Sequence, residues 1–307
     1  MKRHLSGVKK APFTSDLRRF AITLHFYSVR AYAYVRKSFN NLLPSERTIR
    51  KWFETIDGKP GFTHESFNSI RQKVQEGMVV VNVVIDEMAI RQHVYWDGHN
   101  YSGFVNLGSD FTYDHDELDL AKNALVFLAV ALNSHWKIPL GYLLINSLNA
   151  KERANLLNTC LSLLHDTGCH VHSITFDGAP VNKSMCAQFG AVFNFDTSYT
   201  FCHPITRDNI FVFLDPCHAI KLIRNTFGER KILFNEKGDM IKWDYIVALY
   251  NKEKTEGLKA ATKLTGRHIN YYSEKMNVRL AVQVLSDSVS KALIYCAEKN
   301  MMVSKKL

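Results

Sequence analysis

The alternation of apolar and polar residues along the chain predicts helices first and strands afterwards. Between residues 16 and 57 the apolar residues recur at helical spacing, and they predict three short helices. Runs of β-branched apolar residues follow, and they predict strands at 78–86, 123–132 and 137–146. An Asp97-Gly98 pair between the first two of these strands predicts a hairpin-like arm.

The pattern then changes from strands to alternating helices and strands. Residues 151–168 carry leucines on one face and end on a glycine, which predicts a helix. A short β-branched run at 172–178 predicts a strand, and a further helix candidate follows it. Three strands, a helix, a strand and a helix form the element order of an α/β ribonuclease H-like fold.

Two acidic residues stand where the main strands end. The run VVVNVVID stops on Asp86, and ITFD stops on Asp177. A right-handed crossover between the two strands would make them parallel and bring both carboxylates to one edge of the sheet. Glu87 is a poor partner for Asp86, since adjacent strand residues point to opposite faces.

Convergent carboxylates on rigid strands are suited to Mg²⁺ or Mn²⁺, because these hard cations prefer oxygen ligands. Such ions support phosphodiester chemistry by activating the attacking oxygen and stabilising the leaving one. Asp86 and Asp177 are therefore candidate catalytic residues and metal ligands. The alternative is that both make local turns, since an acid at a strand end often caps the next element.

The third predicted helix has the pattern of a DNA-contacting element. Ser45 is a suitable N-cap for ERTIRKWF, and Arg47, Arg50 and Lys51 are expected on the outer face. The alternative is an ordinary solvated face on a small helical bundle. Apolar residues repeat on the inner face of this helix, namely Ile49, Trp52, Phe53 and Ile56.

The net charge favours a polyanionic partner for the amino-terminal quarter. The chain has 39 basic and 29 acidic residues, a net charge of +10. Residues 1–75 hold 15 basic and 5 acidic side chains, so the remaining residues balance at 24 of each. Such an excess favours binding to DNA, RNA or a charged membrane surface.

Cysteine spacing and hydropathy indicate an intracellular protein. The six cysteines include no CxxC pair, which suits reduced thiols in a nuclear or cytosolic protein. We expect neither a signal peptide nor a membrane span, because the opening residues are charged without an apolar stretch and no uninterrupted apolar run approaches about 18 residues.

Five segments in order resemble the P-element and THAP-type DNA transposases. They are YSVRAYAYVRKSFNNLLPSERTIRKWF, IDEMAIRQHVYWDG, TFDGAPVN, LDPCHAIKLIRNTF and KMNVRLAVQVLSDSVSKAL. The resemblance implies a helix-turn-helix DNA-binding segment at 1–75, an incomplete ribonuclease H-like catalytic core at 76–204 and the start of a helical insertion at 205–307. It also implies an Asp-Asp-Glu set that binds divalent metal for DNA cleavage and strand transfer, with Asp86 and Asp177 as the first two acids.

The chain departs from the family pattern at the third acid and at the amino terminus. The family places the Glu after the insertion, and the chain ends within that insertion, so neither Glu274 nor Glu298 is assigned this role. The zinc-binding THAP module is also expected to be absent, because no cysteine precedes Cys160. A truncated or domesticated product, weak or inert in catalysis by itself, is the expectation.

The resemblance alone raises GTP as a ligand of the insertion. The chain has no GxxxxGK[ST] loop, and NKEK at 251–254 lacks the acid of a guanine-reading NKxD. The scattered Cys-His neighbours do not predict a zinc site.

We therefore predict a nuclear P-element-like transposase or fragment that acts on DNA and assembles as a homo-oligomer. Two alternatives stay open: a catalytically inactive DNA-binding or protein-interaction remnant, and a nucleotide-binding regulatory protein.

Overall fold

The computed structural model describes residues 12–54, 58–108, 119–194, 199–256, 261 and 263–299. Helices and strands are numbered below in chain order. Three predicted helices are present at the amino-terminal end: α1 (Ser15–Tyr27), α2 (Val29–Ser38) and α3 (Glu46–Phe53). They enclose a small core of their own, formed by Ala21, Tyr32, Leu43 and Ile49.

Local hydrogen bonds explain where these helices begin and how they pack. The Ser45 hydroxyl accepts from the Thr48 amide at 3.2 Å, which confirms Ser45 as the N-cap of α3. The buried Tyr32 hydroxyl donates to the Pro44 carbonyl at 2.6 Å and joins α2 to the turn before α3. Ile56, expected on the inner face of α3, lies outside the described residues.

A seven-stranded sheet forms the centre of the molecule. Across the sheet the strands run in the order β1-β6-β5-β2-β7-β9-β8. Their bounds are β1 (Gly61–Phe62), β2 (Val80–Ala89), β5 (Asn123–Ala131), β6 (Lys137–Ile145), β7 (His170–Phe176), β8 (Thr200–Cys202) and β9 (Asn209–Leu214).

The pairing confirms the ribonuclease H-like expectation. Strand β2 pairs antiparallel with β5, and β5 pairs antiparallel with β6. After the crossover helix α5 (Ala150–His165), β7 pairs parallel with β2. Helix α6 (Pro180–Ala187) follows β7, and the next long strand, β9, is again parallel to β7. Parallel strands β2, β7 and β9 therefore end at the same edge of the sheet.

Helix α4 (His64–Glu76) packs on the sheet rather than on the amino-terminal helices. Its residues Phe67 and Ile70 belong to the main core, which also contains the leucine face of α5. The sequence predicts a domain boundary near residue 75, but most of α4 lies before that residue and packs with the sheet.

The predicted arm is a short hairpin of β3 (Tyr95–Trp96) and β4 (Tyr101–Ser102). The Asp97 carboxylate accepts from the amides of His99 and Asn100, both at 2.7 Å, and these bonds lower the pKa of Asp97. Gly98 adopts a positive φ of 99°, which explains why glycine stands at the tip.

The remaining residues form a second helical part with one small hairpin. Its core contains Trp243 and Tyr271. The sequence predicts that this part starts at residue 205, but strand β9 (Asn209–Leu214) comes after that residue and belongs to the sheet. The elements are α7 (Pro216–Arg230), β10 (Ile232–Phe234), β11 (Met240–Lys242), α8 (Trp243–Glu256), α9 (Gly266–Ile269), a 3₁₀ helix (Tyr271–Glu274), α10 (Val278–Val284) and α11 (Asp287–Glu298).

The run DPCHAIKLIRNTF predicts a helix that Asp215 caps and Pro216 opens, and helix α7 begins in this way but faces differently from the expectation. Asp215 caps its first turn, with Pro216 at the first helical position. The sequence pattern predicts a buried Ile223 and an exposed Arg224, and both predictions are wrong. Ile223 is 52% exposed whereas Arg224 is 0% exposed, because the guanidinium donates to the Glu274 carbonyl at 2.8 Å within the helical core.

One stretch of the described residues, Val278–Glu298, would be long and apolar enough to cross a membrane by length and composition alone. It is divided into α10 and α11, and its buried residues Val284, Val289 and Cys296 pack in the helical core. Core helices pass the same test, so the stretch is weak evidence for a membrane.

Candidate functional site

Asp86 lies near the carboxyl end of the central strand β2. Its Oδ1 atom accepts from the Glu87 amide at 2.9 Å, and its side chain is exposed. Alternation along β2 buries Val83 and Ile85 on one face, so Asp86 projects on the other. The strand thus holds the carboxylate rigidly while leaving it open to solvent.

Asp177 follows the last residue of β7 and stands before helix α6. Its Oδ1 atom accepts from the Ala179 amide at 3.1 Å and from the Asn182 Nδ2 atom at 2.7 Å. The first of these is the turn bond expected of an acid at a strand end. Asp177 therefore makes a local turn and also lies at the edge of the sheet.

The strand register brings the two aspartates to the same level. Val84 pairs with Thr175 in the last registered pair between β2 and β7. Asp86 and Asp177 each stand two residues further along, at neighbouring strand ends. The predicted convergence of the two strand ends is thus present in the sheet.

The donor set at this edge matches the chemistry of a hard divalent cation but is incomplete. Two carboxylates supply oxygen ligands, and among the described residues only the Oδ1 atom of each accepts a hydrogen bond. No group of three or more His, Cys, Asp or Glu side chains in the described ranges is arranged to hold a metal ion. Mg²⁺ or Mn²⁺ held here would need further oxygen ligands.

Asp215 is a third acid at the same sheet edge, and the sequence pattern predicts only its capping role. Its amide donates to the Phe176 carbonyl at 2.8 Å, and Leu214 before it pairs with Phe176. Both carboxylate oxygens accept amides of α7, from Cys217 at 2.9 Å and His218 at 3.0 Å. The apolar run NIFVFL that ends on an acid was the sequence signal for this position.

The two glutamates left unassigned lie outside the sheet. Glu274 ends the 3₁₀ helix, where the side chains of Arg267 and Asn277 donate to its carboxylate. These bonds, that from Arg267 first, lower the pKa of Glu274. Glu298 is an exposed residue at the end of α11.

The basic side chains of α3 form an exposed face. Arg47, Arg50 and Lys51 are exposed while Ile49 on the same helix is 0% exposed. Trp52 packs against the neighbouring helix, with the Arg18 guanidinium 4.5 Å from its ring centroid. Helix α3 therefore has the amphipathic arrangement that a groove-binding helix requires.

A second group of cations lines a cavity of about 410 Å³ in the helical part. Its walls include Lys263, Arg267 and Arg279, and Arg267 is ion-paired with Glu274. The NKEK residues lie inside α8, rather than in a nucleotide-reading loop.

The cysteines are free thiols where the structure describes them. Cys160, Cys169, Cys186 and Cys296 are buried, whereas Cys202 and Cys217 are exposed. Burial raises the pKa of the Cys186 thiol to about 12, so this thiol stays protonated at neutral pH.

Three family models match successive parts of the chain. Residues 1–52 match the Transposable element P transposase-like HTH domain. Residues 58–190 match the TNP-like RNase H N-terminal domain, and residues 217–306 match the TNP-like GTP-binding insertion domain.

Two curated proteins are similar along most of the chain. DNA transposase THAP9 of Homo sapiens is 30% identical over 290 residues, which are 92% of this chain and 32% of the human protein. Transposable element P transposase of Drosophila melanogaster is 27% identical over 296 residues, 95% of this chain and 36% of that protein. The chain thus spans about a third of the length of these relatives.

The fold also matches a solved structure, titled Drosophila P element transposase strand transfer complex. The TM-score is 0.73 at 23% identity, and the match covers 100% of this chain and 64% of that one. The likeness supports the ribonuclease H-like fold. The three family models and the two relatives show that the chain belongs to the P-element-like transposase family.

Proposed function

We propose that this chain contributes a DNA-binding helix and a metal-binding sheet edge to metal-dependent DNA cleavage and strand transfer. The observation that carries the proposal is the register of β2 and β7, which brings Asp86 and Asp177 to one level at neighbouring strand ends. The solved relative is a strand transfer complex by its title, which supports the same class of reaction.

In this proposal Asp86 and Asp177 hold Mg²⁺ or Mn²⁺ through carboxylate oxygens. The ion, when bound, would activate an attacking oxygen and stabilise the leaving oxygen at a phosphodiester. The chain's own contribution is positional, because Asp86 is held by a sheet strand and Asp177 by the first turn of α6.

The proposed contact with DNA is the exposed face of α3. Arg47, Arg50 and Lys51 would neutralise phosphates while Ile49 keeps the helix attached to its small core. The proposal is compatible with a nuclear location and with assembly of several copies on DNA.

Nicking of a supercoiled plasmid tests the proposal. Because no residue of this chain is assigned as the third acid, we expect only slow nicking in MnCl₂, which EDTA abolishes and which Asp86→Asn and Asp177→Asn each reduce at least about 100-fold. Asp244→Asn, an exposed acid in α8, serves as the control and should nick like the wild type. Nicking that persists in both Asp86→Asn and Asp177→Asn would contradict the assignment of these two residues.

A second candidate function is a DNA-binding remnant without chemistry. The observation that favours it is the incomplete donor set at the sheet edge, since the described residues contain no group of three metal-ligating side chains. Salt-dependent DNA binding without nicking, unchanged by EDTA and by Asp86→Asn, would establish this function in place of the first.

We also propose that the helical part binds GTP. The name of the family model for residues 217–306 and the cations Lys263 and Arg279 at one cavity support this. Arg279→Glu should weaken binding of a fluorescent GTP analogue at least about tenfold, while Asp86→Asn should leave it unchanged. Equal binding by Arg279→Glu and wild type would exclude this cavity as the site.

A further inference from the structure

A chain of polar side chains links β2 to Asp177 through the interior. Glu87 forms an ion pair with Arg153, and Arg153 Nη1 donates to Asn182 Oδ1 at 3.0 Å. Asn182 Nδ2 then donates to Asp177 Oδ1 at 2.7 Å. The chain therefore begins at the residue after Asp86 and ends on Asp177.

The two buried side chains of this network, Arg153 and Asn182, both have hydrogen-bond partners. Arg153 is 6% exposed and Asn182 is 7% exposed. The Arg153 Nε atom also donates to the Leu148 carbonyl at 3.3 Å. Glu87 Oε2 accepts from Asn123 Nδ2 at 3.0 Å. Such networks fix one arrangement, because every alternative would leave a buried polar group unpaired.

Stability alone does not explain the buried arginine. Arg153 lies in the first turns of α5, whose inward face is otherwise lined with leucines such as Leu157 and Leu161. An apolar residue of similar volume would fill the same space without the desolvation of a charge. The network therefore needs a reason beyond packing.

The arrangement determines how the Asp177 carboxylate is oriented. An asparagine side chain can present either its oxygen or its nitrogen to a neighbour. Because Arg153 has only donors, it holds the Asn182 oxygen toward itself, and the Asn182 nitrogen must face Asp177. The Asn182 nitrogen and the Ala179 amide both donate to Oδ1, so rotation of the carboxylate is blocked.

We propose that Glu87, Arg153 and Asn182 are positioning residues for Asp177. They anchor its carboxylate to the strand that carries Asp86, with Oδ1 engaged and Oδ2 left for a ligand. The inference rests on the proposed metal-binding function of Asp86 and Asp177. It also explains why two adjacent acids end β2: Asp86 faces the site and Glu87 supports it from the opposite face of the sheet.

The test is Mn²⁺ affinity of the full chain, measured by electron paramagnetic resonance of the free ion at a temperature where every variant is folded. Asn182→Leu keeps the volume and removes the donor, and Arg153→Met removes the group that orients Asn182. We expect each to weaken Mn²⁺ binding about 10- to 100-fold, the usual effect of losing an outer partner of a metal ligand. The double variant Asn182→Leu, Asp177→Asn should bind Mn²⁺ no more weakly than Asp177→Asn alone.

Ser173→Ala is the matched control. Ser173 is a buried polar residue of β7 whose hydroxyl donates to Asn82 Oδ1 at 2.9 Å, a hydrogen bond outside the network. It should lower the melting temperature without changing Mn²⁺ affinity. Wild-type affinity in both Asn182→Leu and Arg153→Met, with only a lower melting temperature, would overturn the positioning role. Absence of Mn²⁺ binding by the wild type would instead overturn the proposed metal site, and the inference with it.

Discussion

His203 is the buried histidine whose protonation should matter most for stability. Its Nδ1 atom accepts from the amides of Ile205 at 3.1 Å and Thr206 at 3.3 Å, in the turn between β8 and β9. Burial lowers the pKa of His203 below its usual 6.5, and the nearby His165 ring lowers it further. A proton on Nδ1 would remove the acceptor from both amides.

The melting temperature should therefore fall on mild acidification. Because the folded pKa of His203 lies below the unfolded value, this contribution to stability is complete above about pH 6.5 and is lost as pH falls through the folded pKa. His203→Asn keeps an acceptor that does not titrate, so its melting temperature should decline less between pH 7 and pH 5. The exposed His135→Asn should decline like the wild type, and equal slopes in all three proteins would refute the assignment.

Single residues also show where the sequence is sufficient and where it is not. The place of Asp86 could be predicted, because a β-branched run that ends on an acid is a local pattern. Burial of Arg224 could not be predicted, since the carbonyl that accepts its hydrogen bond belongs to Glu274, 50 positions away. The link from Arg153 to Asn182 likewise depends on how α5 and α6 pack, which local periodicity does not encode.

Among the elements, helix α7 depends on a close approach to the 3₁₀ helix. A Cβ atom on Gly228 would lie 2.3 Å from a ring carbon of Tyr271, a residue that is 0% exposed. Burial raises the pKa of Tyr271 to about 12, and its ring packs edge-on against Trp243 at a centroid distance of 5.5 Å. The ring therefore has little room to move away.

Gly228→Ala should destabilise the protein although alanine is the better helix former. Overpacking costs about 1–3 kcal/mol, whereas the gain in helix propensity is about 1 kcal/mol. Gly58→Ala is the control, since no atom lies within 4 Å of its added Cβ. Urea unfolding should show a lower free energy of unfolding for Gly228→Ala only; an unchanged or higher value would mean that Tyr271 can shift.

Elements were predictable in proportion to their length and regularity. The strands β2, β5, β6 and β7 and the helix α5 carry long periodic patterns, and all lie within a few residues of the expected positions. Strand β8 was missed because it is only three residues long, and β9 was missed although its apolar run NIFVFL ends on an acid. Missing β9 also hid the place of Asp215 beside Asp177.

At the scale of the whole molecule, the excess positive charge lies in the first 75 residues, which include the three amino-terminal helices. The charge of residues 1–75 is +10, while the other residues sum to zero. Under the proposed function, this separation predicts that DNA affinity depends on the amino-terminal helices and on salt rather than on the sheet.

Replacing all three cations of α3 should lower both DNA affinity and its salt dependence. Each lost phosphate contact reduces the slope of log K against log salt by about 0.9. The triple variant Arg47→Ala, Arg50→Ala, Lys51→Ala should therefore have a slope smaller by about 2 to 3, measured by fluorescence anisotropy. Lys237→Ala, at the exposed turn of the β10–β11 hairpin, is the control. An unchanged slope in the triple variant would place the contact elsewhere.

The most direct test of the central claim is calorimetric titration of Mn²⁺ into the wild type, Asp86→Asn and Asp177→Asn, each checked for folding by circular dichroism. If the two aspartates hold one ion between neighbouring strands, the wild type binds and each variant loses at least about tenfold in affinity. Identical titrations in all three proteins would contradict a shared metal site at this edge of the sheet.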